Sequence, residues 1–134
     1  MKTLIIKSCI MFIMIACLSS CNNDSGPTIV NPGNNSNHAP SVPGSPNPSD
    51  SATNVGNVII LSWHCTDPDA GDTIKYTIYF STSISPSLAD SNYTSTTYGL
   101  GVVDHNTVFY WKVVAKDNHG AITSGPVWRF RTAP

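Results

Sequence analysis

Glutamate is absent from this chain of 134 residues: all eight acidic residues are aspartates, and lysine and arginine together number only seven. Helices draw heavily on Glu, Lys, Ala and Leu, so this scarcity, beside abundant Thr, Ser, Val and Tyr, argues for strands. A charge this close to neutral leaves no basic footprint for nucleic acid. Long apolar runs are also missing. The longest unbroken one, Cys9–Leu18, is ten residues, against the roughly 20 that a bilayer-spanning helix needs. Cysteine is nearly confined to the start: positions 9, 17 and 21 hold three of the four, and Cys65 stands alone beyond them. Were the three early cysteines removed or blocked, Cys65 would have no partner for an intramolecular disulfide, and stability would have to come from a packed core.

What is present begins with two early lysines, Lys2 and Lys7, then the apolar run, then Leu18-Ser19-Ser20-Cys21. A basic start, a short apolar stretch and small residues behind it have the physical form of a cleavable export signal. This segment resembles the signal peptide and lipobox of a bacterial lipoprotein. The resemblance implies that residues 1–20 are removed and that Cys21 is diacylated on its thiol to become the mature N-terminus. More than one acyl chain gives stable anchoring, at ~0.8 kcal/mol per buried methylene. Removal of the first 20 of 134 residues leaves 114, with five basic residues against eight aspartates and a net charge of −3. The expected location is the bacterial cell envelope. Asn22 rather than an aspartate follows the anchor, which by analogy with well-studied bacteria favours the outer membrane or cell surface over the inner membrane.

Residues 21–39 are rich in Asn, Pro, Gly and Ser. Such a segment buries too little apolar surface to offset its ordering entropy, so it is expected to be a flexible tether. Prolines 40, 43, 46 and 48 suggest an extended, edge-like entry into the domain, which is expected to span 40–134. From Val55 the hydrophobic period is two. It puts Ile59, Leu61, Trp63 and Cys65 on one face; then Ile74, Tyr76, Ile78 and Phe80; then Phe109, Trp111, Val113 and Ala115; then Trp128, Phe130 and Thr132. Asp67-Pro68-Asp69-Ala70-Gly71-Asp72, Asp104-His105-Asn106 and Asn118-His119-Gly120 read as turns. Ser81–Ser95 reads as weakly ordered or one short strand, and Thr96–Val103, with glycines at 99 and 101, as a bulged strand. The fold class that follows is all-β, a sandwich of about seven strands with one wet face per sheet.

Leu61-Ser62-Trp63, the DPDAGD turn, Tyr76-Thr77-Ile78-Tyr79-Phe80, Thr107–Asp117 and Trp128-Arg129-Phe130-Arg131-Thr132 occur in the order and spacing of a fibronectin type III domain. The chain resembles that immunoglobulin-like family over about Pro40–Pro134. The resemblance implies that Trp63 sits in the core. It also implies a leucine six residues before a tyrosine at the start of the sixth strand, and here those positions hold Val103 and Phe109. Phe109 keeps the apolar packing and loses a hydroxyl that would bond back to the turn, a loss of ~1 kcal/mol.

Sites of chemistry are few. The histidines at 38, 64, 105 and 119 have no metal-ligand spacing. No serine stands in a nucleophile elbow, and no glycine-rich phosphate loop precedes a helix. The expectation is a non-enzyme without catalytic residues or cofactor, in which Cys65 is an inert core thiol. Two surfaces remain. In a sandwich of this type the loop holding Asp67, Asp69 and Asp72 shares one end with that holding Asp117 and Asn118. Converging oxygens there could hold calcium; ordinary turn chemistry accounts for the same residues. On the outer face of the sheet that the resemblance predicts, Lys75, Tyr79, Tyr110, Lys112, Lys116, Arg129 and Arg131 come together, with every aspartate in the tether or a loop. That basic face suits an acidic protein or an anionic glycan; plain solubility is the alternative, with cationic stems lying over tyrosines. The chain contains no Arg-Gly-Asp triplet. The expected role is adhesion, scaffolding or protein–protein interaction by a membrane-held sandwich. The other reading is a carbohydrate-binding accessory module, which an exposed tryptophan would favour.

Overall fold

The computed structural model describes residues 36–134; the expected signal segment, Cys21 and the first part of the expected tether lie outside the described residues. Nine strands follow in order: β1 (Gly44–Asn47), β2 (Ala52–Val55), β3 (Val58–His64), β4 (Ile74–Ser81), β5 (Leu88–Tyr93), β6 (Thr97–Val102), β7 (Val108–Asp117), β8 (Ile122–Ser124) and β9 (Trp128–Thr132). One sheet runs β1-β3-β6 and the other β2-β9-β7-β4-β5, with β8 on β7. There is no helix among the described residues.

Nine strands replace the expected seven because two are broken at prolines. The first crosses from one sheet to the other at Pro48: β1 pairs antiparallel with β3, and β2 pairs parallel with β9. The last is split at Gly125-Pro126 into β8 and β9, both partners of β7. Proline has no N–H for a ladder, and Gly125 donates its own N–H to Val113 O at 2.9 Å. A Cβ on Gly125 would stand 3.0 Å from that carbonyl and 3.2 Å from Pro43 Cβ, so a side chain there would crowd both neighbours and glycine suits the close approach. The bulge expected in β6 is present. Ile59 pairs with Gly101 and Ile60 with Gly99, leaving Leu100 extra, and Gly101 has φ of +75°.

The core is built from the alternating residues. Ile59, Leu61, Trp63, Tyr76, Ile78, Phe109, Trp111, Val113, Ala115, Trp128 and Phe130 are all buried. Trp111 lies 4.6 Å from Trp128 between ring centroids, Phe109 stacks on Phe80 at 5.0 Å, and Trp63 meets Tyr76 edge-on at 5.2 Å. Burying one large apolar side chain contributes about 1.5–3 kcal/mol, so these contacts can stabilise the sandwich without a disulfide. The indole N–H groups of Trp63 and Trp111 have no partner among the described residues, which offsets part of that gain.

The hydroxyl that Phe109 lacks is supplied from β9. Thr132, 1% exposed, donates to Asp104 O at 2.7 Å and accepts from Thr107 N–H at 3.0 Å. It therefore ties the turn before β7 from the opposite side of the ladder. Thr132→Val keeps shape and removes both bonds, leaving the Asp104 carbonyl and Thr107 N–H short of a partner. The expected loss is about 1–3 kcal/mol, read as a lower urea midpoint at unchanged slope.

Candidate functional site

The β4–β7 ladder runs in unbroken register from Ser81↔Tyr110 to Ile74↔Asp117. Its last pair sets the two expected acidic loops side by side. Asn118 Oδ1 accepts the Thr73 N–H at 2.9 Å and joins them. Asp67 Oδ1 accepts the Asp69 N–H at 2.9 Å, an Asx turn. Asp117, 5% exposed, accepts the N–H groups of His119 at 2.9 Å and Ala121 at 2.8 Å on Oδ1, and Asn37 Nδ2 at 2.8 Å on Oδ2. Asp67, Asp72 and Asp117 each bring a carboxylate oxygen within 4.8 Å of the other two. Asp69, expected with them, stands outside this cluster. Its Oδ2 accepts the His38 N–H and its Oδ1 meets His38 Nδ1 at 2.9 Å.

A second imidazole–carboxylate pair joins His119 Nδ1 to Asp72 Oδ2 at 2.9 Å. A cavity of about 300 Å³ opens here, lined by Ser36, Asn37, Asp69, Ala70, Asp72 and His119. Ser36 makes no hydrogen bond to either imidazole. Both histidines titrate above their ordinary value, each because of the hydrogen bond and then the charge of its aspartate. Asp69 is held below the carboxylate range by the His38 backbone N–H and then its imidazole, and Asp117 by the Asn37 amide and the backbone N–H groups of the following turn. Asn37, His38 and His119 had no local signal as site residues: their partners are 80, 31 and 47 residues away.

The expected basic face is assembled on β4, β7 and β9. Lys75 pairs across the ladder with Lys116, Tyr79 with Lys112, Tyr110 with Arg129, and Val108 with Arg131. Lys112 Nζ lies 4.8 Å above the Tyr79 ring, the arrangement in which a cation is drawn to the face of an aromatic ring. Tyr79 and Tyr110 are both half-buried. Arg131 Nη2 donates to Asn106 Oδ1 at 2.8 Å, and Arg129 Nε to Ser51 Oγ at 3.4 Å. One expectation is corrected: Asp90 lies within β5, on the edge of this same sheet, and Asp117 ends β7. An edge strand leaves a carboxylate wet, which permits the charge there.

The other sheet carries no charged residue at all. Its outer face presents Val58, Ile60 and Val102, all exposed. All three tryptophans are buried, so no flat indole platform faces solvent. Cys65 is buried; its thiol donates to Ser41 O at 3.1 Å, and burial pushes it toward the protonated, unreactive form.

No protein-family model matches the sequence, and no curated protein matches it. Solved structures do. An Fn3-like protein from Clostridium thermocellum is 26% identical with a TM-score of 0.51, the match covering 72% of this chain and 97% of that one. The fibronectin type-III domain of human fibronectin type III domain containing protein 3 is 24% identical with a TM-score of 0.48, covering 76% and 94%. With the strand order above, residues 36–134 form a fibronectin type III-like β-sandwich.

Two measurements follow. The imidazoles contribute stability that is fully present below their unfolded value of 6.5 and is lost as pH rises through the raised folded values. Asp69 and Asp117 contribute above 3.8 and lose it as pH falls through their lowered values. In an NMR titration His38 should therefore titrate above 6.5 and return toward it in Asp69→Asn. Cys65 should resist maleimide in the folded chain and react once urea unfolds it; rapid labelling under native conditions would contradict its burial.

Proposed function

We propose that this protein is a non-catalytic lipoprotein of the bacterial envelope, whose sandwich serves adhesion, scaffolding or protein–protein interaction at the end of a lipid-held tether. The lipid on Cys21 supplies the membrane contact, and residues beyond it supply reach. The observation that carries the interaction role is the separation of charge over so small a domain. Lys75, Lys112, Lys116, Arg129 and Arg131 line one sheet, while the opposite sheet is uncharged and shows Val58, Ile60 and Val102. An acidic partner protein fits the first surface, because cations beside half-buried tyrosines, Lys112 over the Tyr79 ring among them, give both charge and apolar contact. A glycan-binding role has less support, since Trp63, Trp111 and Trp128 are all core residues.

The proposal makes two independent demands. Wild-type protein made in its natural host should partition into detergent and sediment with membranes, and Cys21→Ser should release it into the soluble fraction; unchanged fractionation would refute lipid anchoring. A partner captured on the basic face should dissociate as salt rises from about 0.05 to 0.3 M and should lose affinity about tenfold or more in Lys112→Glu/Arg129→Glu. A partner indifferent to both changes does not use this face.

A further inference from the structure

Two arginines of the basic face stand beside a cavity without a counter-charge. Arg129 and Arg131 alternate along β9 with the buried Trp128, Phe130 and Thr132, so both project from the outer side of the sheet. Same-side neighbours on a strand lie roughly 7 Å apart, so two long side chains can reach one ligand. A cavity of about 220 Å³ opens where β2 meets β9, lined in part by Ser51, Thr53, Val108, Arg129 and Arg131. Each guanidinium is held there by a neutral oxygen. Arg129 Nε donates to Ser51 Oγ at 3.4 Å, and Arg131 Nη2 donates to Asn106 Oδ1 at 2.8 Å. The ion pairs among the described residues belong to His38 and His119, so no carboxylate neutralises either arginine. Asp50 gives its Oδ1 to the Arg129 backbone N–H at 2.9 Å rather than to a guanidinium. Ser51 has φ of +63°, a left-handed conformation that serine seldom adopts. Its N–H donates to Arg129 O at 2.7 Å, which sets its hydroxyl beside Arg129. That hydroxyl accepts from Arg129 and keeps its own proton to donate. Thr53 brings a second hydroxyl to the cavity wall.

We propose that this cavity seats one phosphate group, as the free ion or as a monoester. Two guanidinium groups bring two positive charges. A phosphate group carries nearly two negative charges at neutral pH, which balances them; one carboxylate does not. The planar guanidinium fork matches phosphate oxygens, and most of its N–H donors remain free at both arginines. The Ser51 and Thr53 hydroxyls add donors for the remaining lone pairs. Both arginines are exposed, so an ester substituent can extend into solvent. Lys75 and Lys116 form the other cation pair of this face, directly opposite each other on the ladder. The cavity beside them is also lined by Asp117, whose charge opposes an anion. The Arg129–Arg131 site lies on the face assigned above to an acidic partner, but it does not depend on that reading.

The test follows the full chain, in mild detergent, by NMR at about pH 7.5, above the second phosphate pKa of about 6. Sodium phosphate is added, with sodium chloride at matched ionic strength as the blank. Phosphate should shift the amides of Ser51, Thr53 and Arg131 and the Arg129 Nε–H saturably, and chloride should leave them in place. Acetate, a monoanion, should bind about tenfold more weakly or less. Arg131→Gln should weaken phosphate binding about tenfold, through loss of one charged hydrogen-bond partner. Ser51→Gly removes a hydroxyl at a φ that glycine tolerates, and should weaken binding about threefold. Lys75→Gln removes the same charge at the far end of the face and should bind phosphate like wild type. Equal losses in Lys75→Gln and Arg131→Gln would show diffuse attraction and overturn the site. So would shifts that do not saturate, or acetate binding as tightly as phosphate. Methyl phosphate separates the two sources: binding equal to phosphate assigns an ester on a larger molecule, and weaker binding assigns the free ion. Failure of phosphate to bind leaves the acidic-partner reading standing, since that is judged by capture and release with salt.

Discussion

The antiparallel ladder between β4 and β7 is the constraint from which both surfaces of this domain derive. Its register is continuous from Ser81↔Tyr110 to Ile74↔Asp117. Because side chains alternate across a strand, that single register sends Tyr76, Ile78, Trp111, Val113 and Ala115 into the core and Lys75, Tyr79, Tyr110 and Lys112 to the opposite side. A slip of one residue would exchange the two sets. The core therefore protects the basic face: moving Lys112 inward would require moving Trp111 out.

The same ladder fixes what happens at its end. Ile74 opposite Asp117 leaves residues 66–73 and 118–121 as neighbouring loops, and Asn118 stitches them through the Thr73 N–H. His119 thereby meets Asp72 of the other loop at 2.9 Å, and carboxylate oxygens of Asp72 and Asp117 come within 4.8 Å, neither of which one loop defines alone. The chain segment at Asn37 and His38 docks against this end, with both side chains held by aspartates. Loops joined in this way are restrained by one another, which is what a site built from short polar turns needs in order to hold its shape.

Elsewhere the fold replaces a missing part rather than leaving it vacant. The position where the resemblance calls for a tyrosine hydroxyl holds Phe109, whose ring extends an aromatic stack with Phe80 and Phe130. The turn it would have tied is bound instead by the Thr132 hydroxyl from β9. Threonine at the end of a strand is unremarkable in a sequence, and only the pairing of β7 with β9 gives it this partner.

Period-two alternation in the sequence was enough to determine the all-β class, the inward residues of β3, β4, β7 and β9, and the turns, because strand geometry converts spacing directly into sidedness. The split of two strands at Pro48 and Pro126 was not legible in number, since a proline marks a break without saying that the chain resumes in another sheet. The acidic loops were visible as Asp-rich turns. Their convergence with Asn37, His38 and His119 was decided by tertiary structure alone, because contacts between residues 31 to 80 apart leave no periodic trace. Sequence by itself thus determined which residues are core and which are surface. Only the register of neighbouring strands decided which surface residues stand together, since a residue's face is a local property and its neighbours on that face are not.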